Sequence, residues 1–153
     1  MHPYLKLALW IGLYLSVAFG IGQSTQASID SWYQTLEKPS FNPPNWIFPI
    51  MWSFLYILIA TAGWKLWQVG ASIKLKIIYI IYTLLNWAWT PIFFGAQLIF
   101  PAFIWIVAIN AVTILFISQA YKEVRLSALL MVPPLLWTLF AALLNYYIWR
   151  MNG

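Results

Sequence analysis

Charge is what this sequence has least of. Only 7% of its 153 residues are charged, against roughly 25% in soluble globular domains, so the polar coat of such a domain is missing. A hydrophobic share of 63% excludes intrinsic disorder, which needs the opposite balance. Cysteine is absent, which excludes disulfides, iron–sulfur clusters and a thiol nucleophile. Histidine occurs once, as His2, and leaves almost nothing for a metal site or a histidine acid–base pair. The acids are Asp30, Glu37 and Glu123, none of them inside a long apolar run. A proton relay or ion-coupled transporter keeps an ionisable group at membrane depth, and no such group is evident. Internal repeats are also lacking.

What the chain has instead is apolar length. Residues 7–29, 39–64, 77–121 and 126–149 contain no Asp, Glu, Lys or Arg. About 20 apolar residues at ~1.5 Å each cross the ~30 Å hydrocarbon layer. Three of the runs hold one span each and the longest holds two. The expectation is an all-α membrane protein: one five-helix domain over residues 1–153, with spans at about 5–22, 46–67, 75–95, 101–121 and 126–149. A long polar loop, from Gln23 to about Asn45, joins the first two. Pro91 should bend the end of the third span, and Pro133-Pro134 should kink the fifth. The first run could also serve as a signal peptide. Against that stand Ala8, Gly12, Ser16 and Gly20, four residues apart, a ridge that lets a neighbouring helix approach closely.

Lys6, Lys65, Lys74, Lys76, Lys122 and Arg125 flank one side of the spans, and Lys38 and Arg150 the other. That bias places the amino terminus and loops two and four inside. A net charge of +5 on so little extramembrane chain points to membrane lipid as partner rather than nucleic acid.

Eleven tryptophans are the strongest compositional signal. Trp10, Trp64, Trp67 and Trp149 fall near span ends and suit the interfacial belt. Trp52, Trp87, Trp89, Trp105 and Trp137 lie deeper, where they serve either helix packing or an aromatic pocket for a flat apolar ligand. In span five, Trp137, Ala141, Leu144, Asn145 and Ile148 share one helical face. Asn86, Thr90 and Phe93 share a face in span three, as do Trp89 and Phe93. Trp52 and Tyr56 are a turn apart in span two. Asn86, Asn110 and Asn145 suit interhelical hydrogen bonding equally well. Leu144, Tyr147 and Arg150 fit a loose sterol pattern, or else a Tyr–Trp–Arg interfacial anchor.

Three ordered motifs resemble one family. Trp32-Tyr33, Leu36, Lys38-Pro39, Phe41, Pro43-Pro44, Trp46, Phe48-Pro49, Trp52 and Leu55-Tyr56 form the first. The second is Leu85-Asn86-Trp87-Ala88-Trp89-Thr90-Pro91-Ile92-Phe93-Phe94-Gly95-Ala96. The third holds Pro134, Trp137, Phe140-Ala141, Leu144-Asn145-Tyr146-Tyr147 and Trp149-Arg150. Together they resemble the translocator protein family, also called tryptophan-rich sensory protein or peripheral-type benzodiazepine receptor. Spans one and four match it only in length and hydrophobicity.

The resemblance implies a five-helix bundle, usually a homodimer, with a pocket among the helices under the first loop as a lid. It implies binding of porphyrins, or haem as a ligand rather than a covalent cofactor, and of sterol in animal members. The positions it implies for ligand binding are Tyr33, Trp52, Asn86, Trp89, Phe93, Trp137, Ala141 and Leu144. The lid would be Lys38, Pro39, Phe41, Pro43 and Pro44. By its charge alone, Lys38 suits a porphyrin propionate and a solvent-side pair with Asp30 or Glu37 equally well. The sterol segment would be Tyr146, Tyr147 and Arg150. Trp52 and Trp137 would carry any photochemistry. Where animal members place a tryptophan after the third helix, this chain reads Leu98-Ile99-Phe100-Pro101. Three readings follow: a receptor or sensor for tetrapyrroles, a light-dependent porphyrin-degrading enzyme, and a structural assembly protein using the Ala8–Gly20 ridge.

Overall fold

The computed structural model describes residues 1–153 and contains helices and connections only. Helix α1 spans Pro3–Asp30, α2 is the short turn Trp32–Thr35, α3 spans Ile47–Gln68 and α4 Ile73–Thr90. A π-helical turn, Pro91–Gly95, continues α4. Then come α5 (Ile99–Glu123), α6 (Arg125–Leu130) and α7 (Val132–Asn152). Five helical stretches are long and apolar enough to cross a membrane, with α4 plus its π turn and α6 plus α7 each counting as one.

The five stretches form a ring. Helix α1 packs on α3, α3 on α6 and α7, these on α5, α5 on α4, and α4 with its π turn returns to α1. One end of the ring is solid. There Tyr79, Tyr82, Ile59, Leu66, Phe116 and Met131 are buried. A chain of hydroxyls threads them: Thr83 and Tyr14 are 2.8 Å apart, Tyr14 and Tyr79 2.7 Å, and Tyr79 lies 2.8 Å from the Ile59 carbonyl. Every buried hydroxyl here has a partner, which lipid cannot provide. Gly63 makes the close approach possible. A Cβ on it would strike the rings of Tyr79 and Trp10. Elsewhere α5 and α7 are joined by Asn110, whose amide donates to the Thr138 carbonyl at 3.2 Å, while the Thr138 hydroxyl donates back at 2.7 Å.

Several expectations need correcting. The first helix does not stop near Gly22 but runs to Asp30. The segment Gln23–Asp30 is polar yet contains no proline, and its side chains serve the helix. The Thr25 hydroxyl donates to the Ile21 carbonyl at 2.9 Å, and the Gln26 amide donates to Asp30 at 2.9 Å, one turn on. The connector therefore shrinks to residues 36–46. The ridge of Ala8, Gly12, Ser16 and Gly20 faces outward, and a Cβ on Gly12 or Gly20 would meet nothing. No helix of this chain uses it. Trp64 is buried against its neighbours, at 9% exposure, rather than turned out to lipid.

The prolines act as read. Pro91 has no N–H to give the carbonyl four residues back. The chain widens there, and the Ala96 N–H bonds the Pro91 carbonyl, five residues earlier, at 2.8 Å. Pro133-Pro134 likewise interrupts the last span at Met131, where α6 ends and α7 begins.

Candidate functional site

The other end of the ring is hollow. A cavity of 790 Å³ lies among α1, α3, α7 and the π turn, within the ~300–1,000 Å³ usual for small-molecule sites. Its walls are mostly aromatic. From α3 come Trp52 and Tyr56, ring centres 5.5 Å apart. From α7 comes Trp137, 6.0 Å from Phe48. Trp89 stacks near-parallel on Phe93 at 5.2 Å, and both line the cavity. The widened turn after Pro91 puts Phe93 and Phe94 side by side, 4.7 Å apart, with the Tyr33 ring against both.

The face read from span five is a continuous wall: Trp137, Ala141, Leu144, Asn145 and Ile148 all line the cavity. Asn145 is fixed there. Its amide donates to the Ile99 carbonyl at 2.8 Å and its oxygen accepts from the Trp89 indole at 3.3 Å. The indole N–H of Trp137 is buried without a hydrogen-bond partner. The nitrogen is sealed among its neighbours rather than open to the cavity, and an unmet donor of that kind costs ~1–3 kcal/mol.

Of the expected ligand positions, Tyr33, Trp52, Trp89, Phe93, Trp137, Ala141 and Leu144 line the cavity and Asn86 does not. Asn86 is buried beside Tyr82, to whose hydroxyl its amide donates at 3.3 Å. It lies four residues before Thr90 on an ideal helix face, but the cavity ends at Trp89. Lys38 also stays outside. Its ammonium donates to the Leu36 carbonyl at 3.1 Å and lies 4.5 Å over the Tyr33 ring. Desolvation there pushes the Lys38 ammonium below its ordinary pKa. Burial pushes the Tyr33 phenol up, more than its hydrogen bond to Asn42 pulls it down.

Pro39, Phe41, Pro43 and Pro44 are not in the wall either. Phe41 packs on Phe140 and Tyr147, at 6.4 and 5.5 Å. The Glu37 backbone exchanges hydrogen bonds with the Asn152 side chain at 2.9 and 2.8 Å. The loop is thus tied to the end of α7. Tyr146, Tyr147 and Arg150 are on the exposed outer face of α7, with Arg150 5.9 Å from the Trp149 ring. Phe100 packs on Trp149 at 4.7 Å, not on the cavity.

Sequence reasoning missed one wall entirely. Leu15, Ala18, Gly22, Thr25 and Ile29 of α1 line the cavity. Their spacing of three, four, three and four is helical throughout, and it continues past Gly22 into the segment read as loop. The rim is polar: Gln23, Gln26, Asn42 and Asn45, with Asp30 as the single charged residue.

The fold and the cavity define a multi-pass membrane protein that holds an aromatic chamber between its helices. The sequence profile of the TspO/MBR family matches residues 10–150. The chain is similar to the tryptophan-rich protein TspO of Chlorobaculum tepidum, 36% identical over 97% of this chain and 96% of that one. It is similar to the tryptophan-rich sensory protein of Cereibacter sphaeroides, 33% identical over 80% of this chain and 78% of that one. It is also similar to the human translocator protein, 31% identical over 95% of this chain and 86% of that one. The chain belongs to the TspO/MBR family. Membership and fold support a membrane sensor or receptor.

Proposed function

We propose that this protein is a membrane receptor for porphyrins, held in the aromatic cavity, with a role in tetrapyrrole regulation or transport. The observation that carries the reading is the wall itself: Trp52, Trp89, Phe93 and Trp137 around 790 Å³. Flat rings stack on such walls for ~0.5–1.5 kcal/mol beyond the buried area. Haem fits as a stacked ligand only. His2 sits at the opposite end of α1 from the cavity, and the chain has no cysteine, so strong axial ligands are not to hand. Titration of tryptophan fluorescence in detergent with protoporphyrin IX, haem and cholesterol tests this. Saturable quenching by the porphyrins supports it, and no quenching removes it. A low-spin, two-ligand haem spectrum would contradict the stacked mode.

A second reading is light-dependent porphyrin degradation, favoured by Trp52 and Trp137 both lining the cavity. Excited porphyrin takes one electron from a wall indole, the porphyrin radical adds dioxygen, which supplies the oxygen of the ring-opened product, and the indole is left oxidised, so porphyrin loss would be stoichiometric in wall tryptophan. Bleaching in air that continues unchanged in a Trp52→Phe, Trp137→Phe double variant would remove this reading and leave the receptor. Sterol would sit on the outer face at Tyr146, Tyr147 and Arg150. The loop at residues 36–46 would act as a lid through Asn42 and Asn45, with Asn42 accepting from the Tyr33 hydroxyl of α2. The lysine-rich end would face inward, and a homodimer would form on the α1 ridge.

A further inference from the structure

A second, smaller cavity lies at the other end of the molecule, 360 Å³ between the start of α1 and the end of α3. Pro3, Lys6, Trp10, Trp64, Trp67 and Gln68 line it. Trp10 and Trp67 face each other at 5.2 Å and form an indole floor. Lys6 is in the wall, and two more lysines reach its edge. The Lys65 ammonium is 5.8 Å from the Trp64 ring and donates to the Gln68 side chain at 3.1 Å. The Lys76 ammonium is 5.5 Å from the Trp67 ring. No acidic residue lines the cavity. The carboxylate near Lys76, Glu123, is already engaged by the backbone N–H and hydroxyl of Ser72.

Cations and apolar indole walls with no carboxylate among them, at the ends of two membrane helices, describe one kind of ligand. The geometry points to a binding site for the phosphate of an anionic phospholipid headgroup between Lys6 and Lys65, with the upper acyl chain against Trp10 and Trp67. A lysine ammonium serves a phosphate as a point charge. Tryptophan is at home at headgroup depth. Each lysine near an anionic lipid surface contributes about 1 kcal/mol, so losing two should weaken binding roughly thirty-fold. The site is separate from the porphyrin cavity and does not depend on that reading.

The test is native mass spectrometry of the protein from a neutral detergent, titrated with phosphatidylglycerol or phosphatidylcholine. The expected result is one tightly held phosphatidylglycerol and no equivalent phosphatidylcholine. A Lys6→Gln, Lys65→Gln double variant should lose most of that preference, while Lys6→Arg keeps it. A Lys74→Gln, Lys122→Gln control removes the same charge from the same end, outside the cavity, and should behave as the wild type. Melting in phosphatidylcholine micelles establishes that each variant is folded. Equal loss in the control pair would mean diffuse surface charge and overturn the site. Retained preference in the double variant would overturn it too. Inorganic phosphate competing as well as the lipid would overturn the lipid assignment in favour of a free anion.

Discussion

The two ends of this bundle are both rich in aromatic residues, yet one is filled and the other open. At the solid end, tyrosines close the gaps and their hydroxyls bond one another and the Ile59 carbonyl. At the hollow end, tryptophans stand around an open space, and Trp137 keeps an unmet N–H. The difference lies in what each side chain carries. A phenol both donates and accepts, so tyrosines can satisfy one another. An indole only donates, so tryptophans cannot. A core of tyrosines can seal itself, whereas a wall of tryptophans needs a carbonyl, an amide or a ligand. Trp105 takes the Leu85 carbonyl at 2.9 Å and Trp89 takes Asn145. Trp137 takes neither, and nor do Trp64 and Trp87 beside the tyrosine core.

That contrast can be broken from either side. The largest effect is expected at the hollow end. Ala141→Phe fills the cavity beside Trp137, and porphyrin affinity should fall about a hundredfold, or ~3 kcal/mol, with the melting temperature unchanged. A variant that binds normally would show that ligands sit elsewhere. At the solid end, Gly63→Val drives a side chain into Tyr79 and Trp10. It should cost ~2 kcal/mol of stability, read as a lower melting temperature in detergent. Tyr79→Phe removes the hydroxyl that links Tyr14 to Ile59. About 1 kcal/mol of stability should go, and porphyrin affinity should hold. Gly12→Leu sits in neither end but on the outer ridge, so monomer stability should move by less than ~0.5 kcal/mol. A shift from dimer to monomer on size exclusion would place the ridge between copies.

The membrane class, the five helices and most of the α7 wall were legible because each rests on a strong periodic signal. Trp137, Ala141, Leu144, Asn145 and Ile148 follow helical spacing in an unbroken apolar run. What was not legible is instructive. Gln23–Asp30 reads as loop by composition, yet nothing in it breaks a helix, and its hydroxyls and amides bond within it. Polarity reports where a segment sits relative to lipid, not whether it is helical. Asn86 shares a motif with Trp89 and Phe93, but its face turns to Tyr82. Sharing a face with a wall residue does not fix how far along the helix the cavity extends. Lys38 stands beside the right tyrosine, but its short reach is spent on the Leu36 carbonyl, a local choice that no pattern encodes.

The extra length of α1 has a consequence for how a ligand is gathered. At 28 residues it is about 42 Å long at ~1.5 Å per residue, longer than the ~30 Å hydrocarbon layer. Its last turns, Gln23 to Asp30, form the rim of the cavity. With the apolar part of α1 filling the hydrocarbon layer, that polar edge would stand at headgroup depth, where amphiphiles concentrate. A molecule with a flat greasy body and a polar edge is already oriented there before it meets the protein. The occupancy of the chamber then follows the amount partitioned into the interface rather than the amount dissolved. Apparent affinity should scale with lipid composition and with protein-to-lipid ratio, even if no contact inside the chamber changes.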